Sequence, residues 1–270
     1  MTLAEAARVV RGIHETTPSF TARVGAISAH FVGTPYKLNP LGEGQNGKTD
    51  KDPTFDLAHV DCLTLIETVL ALAHTPELGE AKALLQHIRY AGGRIAWAQR
   101  HHFAESQWLP ENQRLGVLKD VTRKLGGAAV VDSTKVLGAA SWRGKWARWK
   151  RRLGERTPRG NFTLPVLPLD DAIRLAERFP LGAILTVVRV DKANVPTRIS
   201  HQGIVIKKGR RRFLRHASSG PRFRRVIDYP LASYFRFSKR YFKTRWPVMG
   251  VNVQLPTQSD TLLGKRTAGE

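Results

Sequence analysis

The segment from Leu63 to Ala73 constrains the fold more than any other part of the sequence. Its apolar residues recur at helical spacing, and Pro76 closes the run. A helix that is apolar on most of its surface must also be buried on most of its surface. The chain of 270 residues can build such a core, as one large domain or as two small ones. We therefore expect this helix to run through the core.

The single cysteine of the sequence, Cys62, stands directly before this helix. It has no partner for an internal disulfide or a multi-cysteine metal site, so it is either an inert packing residue or a reactive thiol. A helix N-terminus offers free N–H groups and a positive dipole end, which favour thiolate and predict a lowered thiol pKa. The same N–H groups can stabilise an oxyanion. Asp61 is placed to cap the helix, and Thr64 and Glu67 to support its first turn.

Helical patterns dominate the early part of the chain and strand patterns the late part, which is typical of an α+β architecture. We predict one domain over residues 1–256 and a polar, frayed tail over 257–270. No export signal is recognisable and no apolar stretch reaches the length of a membrane span, so we expect a soluble chain. The predicted elements are helices over 2–32, 78–90 and 170–178, a loop over 33–53, possible strand content over 115–131, and strands over 183–190, 201–206, 212–216 and 248–255.

The sequence is strongly basic, with 44 Lys and Arg against 22 Asp and Glu, a net charge of +22. Such a charge attracts polyanions: nucleic acid, anionic lipid, or the carboxylate-rich polymers of a bacterial wall. Residues 142–153 place three tryptophans and Leu153 at helical spacing among six Lys and Arg residues. This pattern predicts an amphipathic basic helix. It either packs its tryptophans on the domain or docks an anionic surface.

Two of the nine histidines stand in strand patterns, His201 at the start of one and His216 at the end of the next. A hairpin across residues 207–211 would bring them together. With Cys62 they would supply a nucleophile, a base and an orienting group. Two alternatives stay open: both are strand-end histidines with local hydrogen bonds, or the base is His59, which is nearer to Cys62 in sequence.

The chain resembles the DUF1460 branch of the NlpC/P60 cysteine peptidases over roughly residues 20–255. Four motifs occur in the order found in that family: Gly33-Thr34-Pro35-Tyr36, Asp61-Cys62-Leu63-Thr64-Leu65-Ile66-Glu67, His201-Gln202-Gly203-Ile204-Val205 and Arg215-His216-Ala217-Ser218-Ser219. Further matches in type and order are Tyr90-Ala91-Gly92-Gly93-Arg94, Arg100-His101-His102-Phe103, Trp108 and Asp120-Val121-Thr122.

The resemblance implies a papain-like fold, a central and mostly antiparallel sheet packed against helices, with the catalytic cysteine at a helix N-terminus. It implies an N-acetylmuramoyl-L-alanine amidase in which Cys62 attacks, His201 moves the protons and His216 orients His201. The sugar is either ordinary or 1,6-anhydro muramic acid. By the same resemblance, the substrate-binding residues are Tyr36, Asp61, His102, Trp108 and Gln202.

The resemblance implies muropeptides as substrates, with no cofactor, no metal ligand and no obligate protein partner. An envelope, periplasmic or secreted location follows only from this substrate class. Nucleic acid is not the expected partner, although a transient contact with an anionic surface is compatible with the charge.

Three other functions remain as alternatives. The first is a basic protein that binds nucleic acid or a membrane surface, which leaves the cysteine and the histidine pair unexplained. The second is other acyl chemistry on the same fold, either cleavage within the stem peptide or acyl transfer to an amine. The third, a metallohydrolase, is weaker because His101-His102 lacks an HExxH pattern.

Overall fold

The computed structural model describes residues 2–264. Its helices are α1 (Leu3–Thr16), α2 (Phe20–Ala29), α3 (Cys62–His74), α4 (Leu78–Arg89), α5 (Leu109–Arg114), α6 (Thr122–Gly126), α7 (Trp146–Leu153), α8 (Leu169–Arg174) and α9 (Leu231–Tyr241). Its strands are β1 (Leu118–Asp120), β2 (Val131–Leu137), β3 (Gly160–Pro168), β4 (Ile184–Arg189), β5 (Ile199–Lys208), β6 (Arg211–Ala217), β7 (Val226–Pro230) and β8 (Val248–Pro256). Short 3-10 and π turns connect several of them.

One antiparallel sheet joins all the strands in the spatial order β2-β3-β8-β4-β5-β6-β7, and β1 pairs with the far end of β8. The last strand of the chain therefore lies in the middle of the sheet. Helices α2 and α3 pack on β5, whereas α8 packs on β8 and α9 on β6. The mixed α/β architecture agrees with the predicted sheet packed against helices.

The central strands are buried on both faces because each face carries its own apolar core. In β4, Ile184 belongs to the core beneath α3, and the next residue, Leu185, belongs to the core beneath α8 and α9. Side chains of a strand alternate between the faces of a sheet, and every residue of β4 is buried, so both faces of this strand are covered. The buried helix α3 confirms the expectation drawn from the apolar run.

The helix predicted over residues 2–32 is wrong as a single element. A capping box of Thr2 and Glu5 begins α1. Pro18 then separates α1 from α2. A residue before proline is pushed out of the helical region by the proline ring, and Thr17 accordingly adopts φ −131° and ψ 85°.

Two further expectations need correction. The basic helix begins at Trp146, after Gly144 with φ 55°, so Trp142 lies in a separate 3-10 turn. The part of the tail that the structure describes is packed: Ser259 is 3% exposed, and Leu262 is 8% exposed and joins the core beneath α3. Residues 265–270 lie outside the described part of the chain.

No helix within residues 2–264 is both long enough and apolar enough to span a bilayer.

Candidate active site

The N-terminus of α3 is held by a complete capping box, as the sequence predicts for Asp61. One oxygen of the Asp61 carboxylate accepts the backbone N–H groups of Leu63 at 3.0 Å and Thr64 at 2.8 Å. The Thr64 hydroxyl in turn accepts the backbone N–H of Asp61 at 2.8 Å. The second carboxylate oxygen accepts the N–H of Asn39 at 2.9 Å. Glu67 supports the helix differently from the prediction, because it pairs with Arg89 of α4 at 2.6 Å. Cys62 therefore starts α3 in a fixed position.

Tyr36 is held beside Cys62 by the backbone on both sides of it. Its N–H donates to the carbonyl of Arg224, and the next residue donates to the carbonyl of Val60, which lies two residues before Cys62. The pKa of Tyr36 is raised to about 12, mainly by burial and to a smaller extent by the neighbouring Cys62 and Asp61. Tyr36 is therefore a protonated hydroxyl near the thiol at neutral pH.

Helix α3, which Cys62 begins, packs against β5. The backbone of Gln202 in this strand lies close enough to Cys62 to lower the pKa of its thiol. The residue before Gln202 in this strand is His201. Within residues 2–264, no hydrogen bond joins the sulfur to an imidazole. Catalytic hydrogen bonds are often long before substrate binds, so this arrangement is compatible with a nucleophile and its base.

The two histidines meet as the predicted hairpin requires. Strands β5 and β6 pair in a register that runs from Lys208 opposite Arg211 to Ile204 opposite Arg215. His201 Nε2 and His216 Nδ1 are 2.8 Å apart, and their rings are perpendicular. The Nε2 atom of His216 is buried and has no partner within residues 2–264. His201 Nδ1 has no hydrogen-bond partner among the described residues, so it can make a second proton contact.

One residue that the sequence reasoning missed completes the surroundings of the histidine pair. The ring of Tyr234, from α9, lies 6.2 Å from the ring of His201 and 5.5 Å from that of His216, measured between centroids. Burial raises the pKa of Tyr234, and Cys62 raises it further. The amphipathic pattern of residues 231–241 could have revealed the helix, but no local signal indicates that its tyrosine faces the histidines.

The thiol pKa is shifted in the direction opposite to the sequence expectation. Burial raises the pKa of Cys62 to about 12, and the Asp61 carboxylate adds to the effect, while hydrogen bonds from the backbones of Gln202, Cys62 and Leu63 lower it only in part. The residue itself keeps intermediate exposure. Loss of hydration disfavours thiolate more strongly than the helix terminus favours it. The resting side chain is therefore a thiol.

Burial also keeps the histidine pair neutral. It lowers the pKa of His201 well below the ordinary value, with further lowering by His216 and Arg189. It lowers the pKa of His216 to about 4, although Asp228 acts in the opposite direction. At neutral pH both imidazoles are free bases, which is the form able to accept a proton.

A pocket of about 380 Å³ opens beside the first turn of α3. It is enclosed by that turn, the loop before it, residues 97–102 and helix α7. Its lining is rich in cations and aromatic rings: Asn39, Asp50, Asp61, Leu63, Thr64, Arg89, Trp97, Arg100, His101, His102, Arg148, Trp149 and Arg152. The basic helix thus packs its tryptophans on the protein, one of the two alternatives for it, and also supplies two arginines to this pocket.

The remaining predicted substrate-binding residues differ in their placement. Asp61 and His102 line the pocket. Gln202 is 2% exposed, and its side chain donates to Thr186 at 3.3 Å, so its backbone is the part that faces the thiol. Trp108 is 0% exposed and lies in the core beneath α3. Its assignment to substrate binding needs correction, because a ring without exposed surface cannot contact substrate from where it stands.

Within residues 2–264, no group of three or more His, Cys, Asp or Glu side chains is arranged to hold a metal ion.

Comparison with known proteins places the chain in a family of amidase-like hydrolases. The family model described as AmiA-like, N-acetylmuramoyl-L-alanine amidase-like, matches residues 26–241. The chain belongs to this family. The match confirms the predicted resemblance to the DUF1460 proteins. No curated protein matches the sequence.

Solved structures with the same fold include three proteins of different description. A Legionella pneumophila protein of family DUF1460 is 25% identical, with a TM-score of 0.79 over 95% of this chain and 96% of that one. An N-acetylmuramoyl-L-alanine amidase of Bacteroides uniformis is 20% identical, with a TM-score of 0.65 over 88% of this chain and 99% of that one. A Bacteroides fragilis protein described as a putative xylanase is 25% identical, with a TM-score of 0.64 over 84% and 98%.

Proposed function

We propose that this protein is a cysteine amidase of the papain-like type that hydrolyses the bond between N-acetylmuramic acid and L-alanine in peptidoglycan fragments. The observation that carries the proposal is the position of Cys62 at a capped helix start, against the strand that bears His201 and its partner His216. Membership of an amidase-like family supports the choice of bond.

In the proposed first step, His201 Nδ1 accepts the thiol proton while Cys62 Sγ attacks the carbonyl carbon of the lactyl group. The resting neutral thiol and neutral imidazole supply the correct proton for this transfer. For Nδ1 to be the base, His201 must carry its own proton on Nε2 and donate it to His216 Nδ1, 2.8 Å away. His216 thereby selects the tautomer and supports the imidazolium that forms.

The carbonyl oxygen becomes negative as the tetrahedral intermediate forms. The backbone N–H of Cys62, which has no carbonyl partner within α3 because it stands at the first helical position, and the Tyr36 hydroxyl are the donors that we assign to this oxygen. Protonated His201 then gives its proton to the departing L-alanine nitrogen, and the carbon–nitrogen bond breaks. A thioester with the muramoyl group remains.

Water completes the cycle. His201, again neutral, accepts a proton from water as the hydroxide attacks the thioester carbonyl. The carbon–sulfur bond breaks, the proton returns to sulfur, and the sugar leaves with a free lactyl carboxylate. The products are a muramic acid sugar and an intact stem peptide with a free L-alanine amine.

The test is digestion of purified muropeptides, with mass analysis of the products. The wild type should release the intact stem peptide, and Cys62→Ala should release none while showing the same circular dichroism and melting temperature. Fragments cut within the stem peptide would replace this proposal with an endopeptidase. Transfer of the muramoyl group to an added amine in preference to water would indicate an acyltransferase.

A further inference from the structure

The pocket beside α3 contains two kinds of arginine. Arg89 and Arg100 are buried and each is neutralised at 2.6 Å, by Glu67 and Asp50. Arg148 and Arg152, both from α7, are exposed and form no ion pair within residues 2–264. Asp61 adds one negative charge to the lining, so these two arginines leave the pocket with a net positive charge, and that charge lies on one wall.

One of these guanidinium groups is already oriented by aromatic packing. The guanidinium of Arg152 lies 3.9 Å from the ring centroid of Trp97. Trp97 is held in turn by Trp149 at 5.1 Å, and His102 Nε2 lies 2.7 Å from the Trp97 carbonyl. A stacked guanidinium loses little conformational freedom when it binds a ligand and presents its N–H groups in a fixed plane. Such a group suits a planar carboxylate, which it can bind through two parallel hydrogen bonds.

The chemistry of the proposed substrate indicates which half enters this pocket. The lactyl carboxyl of N-acetylmuramoyl-L-alanine is consumed in the scissile amide, so the sugar half has no carboxylate. Every carboxylate belongs to the peptide half. Asp61 and Leu63, the two chain neighbours of Cys62, both line the pocket. A peptide whose first amide lies at the thiol can therefore extend into it.

We propose that Arg148 and Arg152 bind a carboxylate of the stem peptide beyond L-alanine and so select acidic stem peptides. The indole of Trp149 and the His102 ring, whose centroids are 5.0 Å apart, form the adjoining wall against which the peptide backbone packs. This specificity site rests on the proposed amidase function for its substrate, but its charge recognition can be measured without catalysis.

The first measurement compares two substrates that differ in charge alone: N-acetylmuramoyl-L-alanyl-D-glutamate and its diamide, in which both glutamate carboxylates are amidated. The wild type should cleave the acid with a kcat/KM about tenfold higher. The double variant Arg148→Gln/Arg152→Gln should bring this ratio close to one. The matched control is Arg151→Gln, which removes one exposed charge from the same helix outside the pocket and should keep the ratio.

The second measurement uses calorimetry and requires no turnover. Cys62→Ala protein should bind the peptide L-alanyl-D-glutamate about tenfold more tightly than its diamide. The preference should disappear when Arg148→Gln and Arg152→Gln are added, with an unchanged melting temperature to show that the protein is folded. Arg151→Gln should again have little effect.

The outcomes separate the two proposals. Equal binding of acid and diamide, or a preference that survives the double variant, overturns the carboxylate site whatever the amidase assay shows. Displacement of the acidic peptide by inorganic phosphate at equal concentration would indicate a general anion site and would also overturn it. A retained binding preference without cleavage of any muropeptide would overturn the amidase proposal and support the site.

Discussion

The two sides of the candidate site differ in the charge of their side chains. On the side of Cys62, His201 and His216, burial disfavours the charged form of these three side chains, so a thiol lies beside two neutral imidazoles. On the side of α7, Arg148 and Arg152 remain exposed and charged. We infer that the buried side performs the chemistry and the exposed side captures the substrate. The two sides should therefore respond to different perturbations.

The largest expected effect on activity is that of removing the nucleophile. Cys62→Ala should lower kcat by at least about ten-thousandfold, because no other group on the buried side can form the thioester. Cys62→Ser should be nearly as inactive, since a hydroxyl is much harder to ionise than a thiol. Single-turnover assays on muropeptides measure the effect. Substantial activity in Cys62→Ala would show that Cys62 is not the nucleophile.

A thiol-alkylating reagent should inactivate the wild type, and bound substrate should slow the inactivation. Chelators should leave the activity unchanged. Loss of activity in EDTA that zinc restores would instead favour the metallohydrolase.

The next effect separates the two histidines. His201→Ala should lower kcat/KM almost as much as Cys62→Ala, because members of a catalytic unit act together. His216→Gln should lower kcat/KM only about tenfold to a hundredfold. An amide oxygen can accept the hydrogen bond from His201 Nε2 in place of the imidazole. The measured quantity is kcat/KM for each variant.

The matched control is His59→Ala. This histidine is exposed, lies three residues before the thiol, and contacts Asp56 at 3.1 Å. Its removal should have little effect. If His59→Ala inactivates the protein and His201→Ala does not, the assignment of the base is wrong.

Acid should lower the stability of the protein through its buried histidines. Folding lowers the pKa of His216 to about 4 and that of His74 to about 4, both mainly through burial. Since unfolded histidine binds protons near pH 6.5, the unfolded state gains protons first as pH falls. The free energy of unfolding is at its full value above about pH 6.5. It should then fall toward pH 4 by up to about 1.4 kcal/mol per pH unit for each such histidine.

Urea unfolding at pH 7, 6 and 5 measures this slope. His216→Gln should make it shallower, because the variant has one buried imidazole fewer, whereas His59→Ala should not. A free energy of unfolding that stays constant or rises between pH 7 and pH 5 would contradict the burial of neutral histidines.

The smallest expected effect is that of salt, and it concerns the exposed side alone. Raising the salt concentration should lower kcat/KM on anionic fragments several-fold and leave kcat nearly unchanged, because exposed charges are screened beyond about 10 Å at 0.1 M salt. Replacing Arg148, Lys150, Arg151 and Arg152 together with glutamine should flatten this dependence. If the quadruple variant matches the wild type on wall material at low salt, the charge of α7 serves another partner.

Local sequence was sufficient for the elements whose signals lie within a few residues. The capping box of Asp61 and Thr64, the buried run of α3, and the hairpin that joins His201 to His216 all follow from spacing and turn chemistry. The resemblance to a family likewise depended on short motifs in order, which survive changes elsewhere in the chain.

Tertiary structure alone decided the features that depend on distant segments. Burial reversed the direction of the thiol pKa, because the backbone N–H groups around Cys62 are local while the loss of water comes from the whole fold. Tyr234 reaches the histidine pair only through the packing of α9 on β6. The cationic pocket joins α7 to residues 97–102 and the first turn of α3, segments far apart in sequence. Sequence periodicity tells which side of an element is apolar, but not which element that side will meet.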